Sequence, residues 1–275
     1  MLTLLVFFSK FGLYIAALMG IGLLLHSAAA ITTSRRWLLI LGVSLLFAIS
    51  LRLILLNAQL AGGLTGAFSP DTFSWIWPAN RLQAMAFMGG AGLMAASSLA
   101  RLRFLTLPAA ILIASGFGFG GHSQGLDAPG LAPWLAGLHA LIAGFWIAAP
   151  FTLWPRTDLD IELVHARMER FSAIALWVVP LLFVSGIWLM LRLSGPPSAV
   201  IASSYGQILL AKLLLASLAL AIGAWNKLRI TRLLRENAEQ GVSSLKRSLG
   251  ADIMLFFGIL LLIAAATTLT GPGAV

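Results

Sequence analysis

Long apolar runs alternate with short polar segments from one end of the chain to the other. The runs lie at residues 7–30, 37–60, 82–100, 104–121, 131–153, 171–193, 207–225 and 250–270. A helix of about 20 apolar residues crosses the roughly 30 Å hydrocarbon layer of a bilayer. The pattern therefore predicts an all-α polytopic membrane protein, in which a bundle of eight transmembrane helices forms a single domain over residues 1–275.

Basic residues are concentrated in the odd-numbered connections between these runs. Arg35 and Arg36 lie in the first connection, and the seventh, residues 226–249, carries six lysines and arginines. Because cytoplasmic loops are enriched in these residues, both termini are predicted to face the periplasm. The same rule accounts for the net charge of +9 without a nucleic-acid partner. Residues 226–249 are predicted to form a short amphipathic helix along the anionic surface of the lipid bilayer.

Composition limits the chemistry that such a bundle can carry. Hydrophobic residues make up 60% of the chain and charged residues 10%, and cysteine is absent. Without thiolates, a site for a soft metal has to be built from histidine and methionine. The sequence has neither a phosphate-binding GxxxxGK[ST] loop nor an HExxH zinc pair. An enzyme is therefore less expected than a transporter.

The candidate site combines imidazoles with thioethers near the outer face. His122 lies in a glycine-rich loop at the mouth, and His139 lies in the fifth run, about 12 Å below the outer rim at 1.5 Å per residue. Met85 and Met88 lie one turn apart in the outer third of the third run. A histidine in hydrocarbon usually has a ligand, a partner or a proton to carry. Imidazole with thioether suits copper, and Cu(I) in particular, so these four residues are the predicted metal ligands.

Each ligand also has a structural alternative. Methionine in a membrane helix is often only packing material, and His122 has the alternative of being an ordinary loop residue. Met190 ends the sixth run on the same side of the membrane and is a further thioether. Trp146 shares the helix face of His139 and is predicted to line the space beneath it.

Two basic side chains fall within the predicted spans. Arg52 lies in the outer third of the second run, and Lys212 lies about one and a half turns below the outer end of the seventh. Either they line a polar cavity or they extend outward to the headgroups. Asn57, Asp71 and Asp127 are candidate partners for Arg52. Arg52, Asn57, Lys212 and Trp146 are the predicted cavity-lining polar residues.

Five motifs in the second half of the chain resemble those of a known family, the bacterial copper-resistance protein D (CopD/PcoD) proteins of the inner membrane. The first is His139 with Trp146 in LHALIAGFW, and the others follow in the family's order between residues 131 and 270. They are Glu169-Arg170-Phe171-Ser172, Ser185-Gly186, Tyr205-Gly206 with Leu209 and Lys212, and Gly223-Ala224-Trp225-Asn226-Lys227. Gly121-His122-Ser123 is similar to a further turn of the family.

The resemblance implies a multi-pass inner-membrane protein that handles copper, moving the ion from periplasm to cytoplasm. It also implies a small periplasmic copper-binding protein of the CopC type as partner. A membrane oxidoreductase that binds haem b is the alternative, with His139 as axial ligand and Arg52 or Lys212 near a propionate. A third possibility is a platform that only docks the copper chaperone.

Overall fold

The computed structural model of the chain describes residues 1–31, 35–120, 128–156 and 161–270. Regular structure in these ranges is entirely helical. The α-helices are α1 (Leu2–Ala28), α2 (Arg35–Leu60), α3 (Pro70–Leu99), α4 (Thr106–Gly118), α5 (Ala132–Ile147), α6 (Ala149–Thr152), α7 (Ile161–Ser194), α8 (Pro197–Ala202), α9 (Ser204–Trp225), α10 (Thr231–Glu236) and α11 (Ala238–Leu269). Asn226–Ile230 forms a π-helical turn between α9 and α10.

Seven helical stretches in the described ranges are long and apolar enough to cross a membrane. They are Leu2–Ala28, Arg35–Leu60, Pro70–Leu99, Ala132–Thr152, Ile161–Ser194, Ser204–Glu236 and Ala238–Leu269. The predicted all-α polytopic fold is thereby confirmed. The fourth predicted run, 104–121, forms a shorter apolar helix over Arg103–Gly118. The count of eight spans and the periplasmic position of the termini stay predictions.

The short helix α4 is held inside the bundle by small residues. It packs against α1, α3 and α5. Ala109, Ala110 and Ile113 are fully buried in these contacts. Small side chains let neighbouring backbones approach closely, which is how helices associate in a bilayer.

Several helices are longer than the apolar runs that predicted them. α3 begins at Pro70 with Asp71 in its first turn, and α7 begins at Ile161 with Glu162 in its first turn. Acidic side chains there complement the helix dipole. The prediction of a separate surface helix over 226–249 is wrong. Residues 226–236 continue the span of α9, and α11 begins immediately after Asn237.

Helix α1 lies at the centre of the bundle and contacts α2, α4, α5 and α11. Its closest approach is to α5, where Gly144 packs against Leu18 and Ile21. A methyl group placed on Gly144 would lie 2.8 Å from the Leu18 carbonyl oxygen and 2.8 Å from Ile21 Cβ. Only a glycine fits between the two helices at this point.

Contacts between helix ends show that α7 runs antiparallel to α1 and α5. At one end, Arg170 donates to the carbonyl oxygen of Ala30 over 2.8 Å, and Arg235 pairs with Glu169 at 3.0 Å. At the other end, Arg192 donates to the carbonyl oxygen of Ala128 over 2.8 Å. The first end carries the basic connections and is called the inner end below. The opposite end is called the outer end.

Candidate functional site

A cavity of about 270 Å³ opens between α1, α5, α7, α9 and α11 in the outer half of the bundle. Most of its lining is aliphatic or aromatic. The polar and sulfur-bearing side chains among the described residues that line it are Tyr14, His139, Met190, Tyr205, Lys212 and Thr267. A mostly apolar cavity with a few convergent polar groups is typical of a ligand site.

His139 projects into this cavity from α5 with its ring fixed by α7. Its Nδ1 lies 3.1 Å from the hydroxyl oxygen of Ser185, and that hydroxyl donates to the Leu182 carbonyl oxygen at 3.0 Å. Because the single hydroxyl proton of Ser185 is used in this way, the hydroxyl oxygen accepts the proton of Nδ1. We therefore assign the proton to Nδ1, which leaves the lone pair on Nε2.

The Nε2 atom of His139 forms no hydrogen bond within the described ranges. A methyl group built on Gly186, the next residue of α7, would lie 2.9 Å from Cε1 and 4.0 Å from Nε2. The imidazole is thus held against α7, with one nitrogen engaged and the other available to a ligand. Histidines that bind metals show this arrangement, in which a neighbouring acceptor fixes the proton on the second nitrogen.

His26 shows the opposite condition near the inner end of α1. Its Nδ1 lies 2.7 Å from the Thr152 hydroxyl oxygen, and its Nε2 lies 2.9 Å from the Phe145 carbonyl oxygen. The ring is fully buried and packs edge-on against Phe145. With both nitrogens engaged, His26 joins α1 to α5 and α6 and has no free donor for a ligand.

Lys212 places a second functional group in the cavity. It comes from α9, and its charge acts on His139. It forms no ion pair with any residue in the described part of the chain. A lysine in such a setting repels a bare cation but attracts an anion that accompanies it.

Part of the chain that forms this cavity matches a known protein family. Residues 165–266 match the family model described as copper resistance protein D. The predicted resemblance is confirmed for this segment, which holds α8, α9, α10, most of α7 and most of α11. The apolar helices indicate a multi-pass membrane protein, and this segment of it is similar to copper resistance protein D. No curated protein and no solved structure matches the chain.

The segment that matches copper resistance protein D supplies three of the six polar or sulfur-bearing groups that the described residues place in the cavity lining. Met190, Tyr205 and Lys212 lie within residues 165–266, as does Ser185, which orients His139. His139 and Trp146 lie before the matched segment, on α5. The family described by this match is one of copper resistance, and the match gives no support to the haem alternative.

The predicted thioethers of α3 are not brought to His139. Met85 is 60% exposed on the outer surface of the bundle. Met88 packs against the apolar core, and neither methionine lines the cavity. His122 and Asp127 lie outside the described residues. No group of three or more histidine, aspartate or glutamate side chains able to hold a metal forms in the ranges that the structure describes.

Arg52 and Asn57 lie apart from the cavity lining. Arg52 interacts electrostatically with Lys10 and Tyr14, and its buried Nη1 has no hydrogen-bond partner among the described residues. Asn57 is used elsewhere, because its amide donates to the carbonyl oxygens of Ala67 and Ser69 at 3.1 and 3.0 Å. It fixes the connection between α2 and α3 and is not a partner of Arg52.

Trp146 lies on the same helix face as His139 and forms the floor of the cavity. Its ring meets Phe256 edge-on with centroids 5.4 Å apart, and the centroid of Phe183 lies 6.2 Å away. Tyr14 and Asp252 were not predicted from the sequence, and Tyr205 was named only as part of a family motif. For Asp252 a signal was present, since it is an acidic residue inside the last apolar run.

Proposed function

We propose that the protein carries copper from the periplasm to the cytoplasm through the bundle, with His139 as the ligand in the outer cavity. The observation that carries this proposal is the state of the His139 ring. Its Nδ1 is committed to Ser185, and its Nε2 is free of hydrogen bonds among the described residues and lines the cavity. An oriented neutral imidazole is a good ligand for copper.

The most suitable thioether for this site is Met190. It lines the cavity with His139, whereas Met85 and Met88 do not. Thioether sulfur favours Cu(I), which accepts low coordination numbers and soft ligands. In this proposal His122 supplies a second imidazole at the mouth, where copper first meets the protein.

Lys212 fits the proposal if copper arrives with an anionic companion. A lysine next to His139 opposes the entry of a bare cation, and the described residues that line the cavity include no carboxylate to offset it. We propose that Lys212 receives an anionic ligand of copper. A periplasmic copper-binding protein of the CopC type is the proposed donor of copper at the outer end.

The test has two parts. Copper binding is measured on the purified protein, and copper uptake is measured after the protein has been reconstituted in its inner-membrane orientation. Cu(I) binding is measured by competition with a chromophoric chelator, and uptake is measured in proteoliposomes. His139→Ala is expected to weaken Cu(I) binding at least tenfold and to abolish uptake. His165→Ala is the matched control, since His165 faces Glu169 on α7 at 3.6 Å, at the inner end of the bundle.

Three results would contradict the proposal. The first is a His139→Ala variant that binds and transports copper like the wild type. The second is a wild-type protein that binds copper but moves none, which would favour the docking platform. The third is a Soret band in the purified protein that disappears in His139→Ala, which would favour the haem-binding oxidoreductase.

A further inference from the structure

A second, smaller cavity lies on the inner side of the Trp146 floor. It has a volume of about 40 Å³, enough for a few water molecules or a bare ion. Trp146 and Phe256 line both cavities, so these two aromatic side chains are shared walls between them. The inner cavity lies among α5, α6, α7, the π-helical turn and α11.

Asp252 is the acidic group of this inner cavity. The residue is only 7% exposed, and its Oδ1 has no hydrogen-bond partner among the described residues. It forms no ion pair in the same ranges. An unpaired buried carboxylate is strongly unfavourable, so the group needs a proton or another cation to neutralise it. Ionisable residues in this position mark ion or proton pathways in membrane proteins.

The surroundings of Asp252 offer one soft ligand and no competing charge. Met168 of α7 is 4% exposed and lines the same cavity, so a thioether is available there. The described lining residues from α5, α6, α7, α9, the π-helical turn and α11 include no other titratable or charged side chain. Asn226 accepts a hydrogen bond from Ser248, so one side of its amide is already engaged.

The backbone next to the cavity is also unusual. Asn226, which lines the cavity, begins the π-helical turn Asn226–Ile230. Single π-helical turns interrupt the regular hydrogen-bond ladder, and they occur frequently at functional sites. This turn places Asn226 opposite Ser248 and in the lining of the same cavity as Asp252.

We propose that Asp252 and Met168 form an inner cation site that exchanges a proton for copper. This inference rests on the proposed transport function. Without copper, the carboxyl group of Asp252 holds a proton. When Cu(I) passes the Trp146–Phe256 wall, it binds the Met168 sulfur and the carboxylate, and the proton leaves to the inner aqueous side. When copper leaves in turn, a proton from that side rebinds, so the cavity stays neutral throughout the cycle.

The exchange predicts that protons on the inner side compete with copper. Uptake of Cu(I) into proteoliposomes is measured at a fixed external pH and a series of internal pH values. Wild-type uptake is expected to slow as the internal pH falls, with a limiting slope of about tenfold per pH unit for one competing proton. In Asp252→Asn, uptake is expected to be at least tenfold slower and independent of internal pH.

Two further variants separate this role from a structural one. Asp252→Glu keeps a carboxyl group and is expected to keep the pH dependence. Glu239→Gln removes an exposed carboxylate from the first turn of the same helix and is expected to behave like the wild type. Binding of Cu(I) in the outer cavity is expected to be unchanged in Asp252→Asn, which also shows that the variant is folded.

The outcomes distinguish this inference from the function on which it rests. Wild-type uptake that ignores internal pH would overturn the exchange at Asp252 and leave copper transport standing. An Asp252→Asn variant with wild-type rate and pH dependence would do the same. A wild-type protein that takes up no copper would overturn both.

Discussion

His139 and His26 lie on neighbouring helices, and their ring nitrogens are used in different ways. His26 has both nitrogens within hydrogen-bond distance of α5 and α6. His139 has one nitrogen bonded to Ser185, while the other faces a cavity. A buried imidazole with two partners contributes to stability, whereas one with a single partner is available for a ligand. Burial alone does not separate these two roles.

Replacing Ser185 with alanine tests the hydrogen bond that orients His139. Without the hydroxyl, the proton of Nδ1 loses its acceptor, and the ring is free to adopt the other tautomer. We expect Ser185→Ala to weaken Cu(I) binding by roughly 10- to 100-fold, the usual effect of removing the outer partner of a metal-binding histidine. The measurement is competition with a chromophoric chelator.

Ser217→Ala is the matched control for this experiment. The Ser217 hydroxyl also donates to a backbone carbonyl within its own helix, that of Leu213 at 2.9 Å. Ser217 is exposed, however, and is not among the described residues that line the cavity with His139. Its removal is expected to leave copper affinity unchanged. Equal affinities for Ser185→Ala and the wild type would show that Ser185 does not orient the ligand.

The residues of the site were only partly predictable from the sequence. His139 stands out because imidazole is rare in an apolar run, and Trp146 follows from its helix face. The packing of Met85 was not predictable, because polar and apolar residues are spread around α3 and periodicity gives that helix no direction. The pairing of His139 with Ser185 depends on the register between α5 and α7, which a single sequence does not contain.

At the scale of helices, the contact between α1 and α5 depends on glycine. Gly144 of α5 touches the backbone of α1, and Gly22 of α1 in turn packs against Gly144 and Ala148. Dispersion contacts between closely spaced backbones replace the hydrophobic effect, which is weak between helices in lipid. Since α1 lies at the centre of the bundle, this crossing fixes the position of α5 and hence of His139.

Adding one methyl group to Gly144 is expected to disturb that crossing. In Gly144→Ala the new carbon meets Leu18 and Ile21 at less than van der Waals distance, so the two helices have to move apart. Overpacking of this kind costs about 1–3 kcal/mol. We expect a lower unfolding temperature in detergent, measured by the loss of folded protein on heating.

Gly12→Ala provides the comparison, because a methyl group on Gly12 has no neighbour within 4 Å. Alanine is the better helix former by roughly 1 kcal/mol, so this variant is expected to be as stable as the wild type or slightly more stable. A Gly144→Ala variant with unchanged thermal stability would contradict the close packing of α1 and α5.

Helix existence was predictable from the sequence, but helix ends were not. The apolar runs predicted the membrane-spanning helices because, within the hydrocarbon layer, backbone N–H and C=O groups need hydrogen-bond partners inside the protein. Outside the hydrocarbon this constraint is lifted, and capping decides the ends instead. Asn237 illustrates the difference. Its Oδ1 accepts a hydrogen bond from the backbone N–H of Gln240 at 3.1 Å, so α11 begins well before its apolar part.

At the scale of the whole molecule, the two cavities are stacked along the bundle with the aromatic wall between them. The outer cavity contains basic groups and the inner cavity an acidic one. The basic connections Arg35–Arg36 and 226–236 lie at the inner end, and the positive-inside rule assigns that end to the cytoplasm. The direction of copper movement depends on this assignment.

The orientation is testable because the natural chain has no cysteine. Phe68→Cys places a thiol in a connection at the outer end, where Phe68 is 79% exposed. Glu236→Cys places one at the inner end, where the side chain is 62% exposed. With intact spheroplasts, a membrane-impermeant maleimide is expected to label Phe68→Cys and not Glu236→Cys. Inside-out vesicles should give the reverse result, and the cysteine-free parent should stay unlabelled in both.

The general architecture, an all-α membrane bundle, was predictable from the sequence, but the cavities inside the bundle were not. Alternating charge predicts the direction of each span in the membrane, which stays a prediction, and the helix-end contacts show only that α7 runs antiparallel to α1 and α5. Cavities arise from how several helices pack together, so they follow from tertiary contacts that no single helix encodes. Asp252 was visible in the sequence, but its lack of a partner was not.

The thin wall of Trp146 and Phe256 also limits what can pass. Beyond it there is room for about 40 Å³, too little for an ion that keeps bulky companions. Under the proposed transport function, copper has to be stripped at this bottleneck, and its former companion stays behind near the Lys212 ammonium group. The rate of turnover is then expected to depend on how easily the incoming complex gives up its metal.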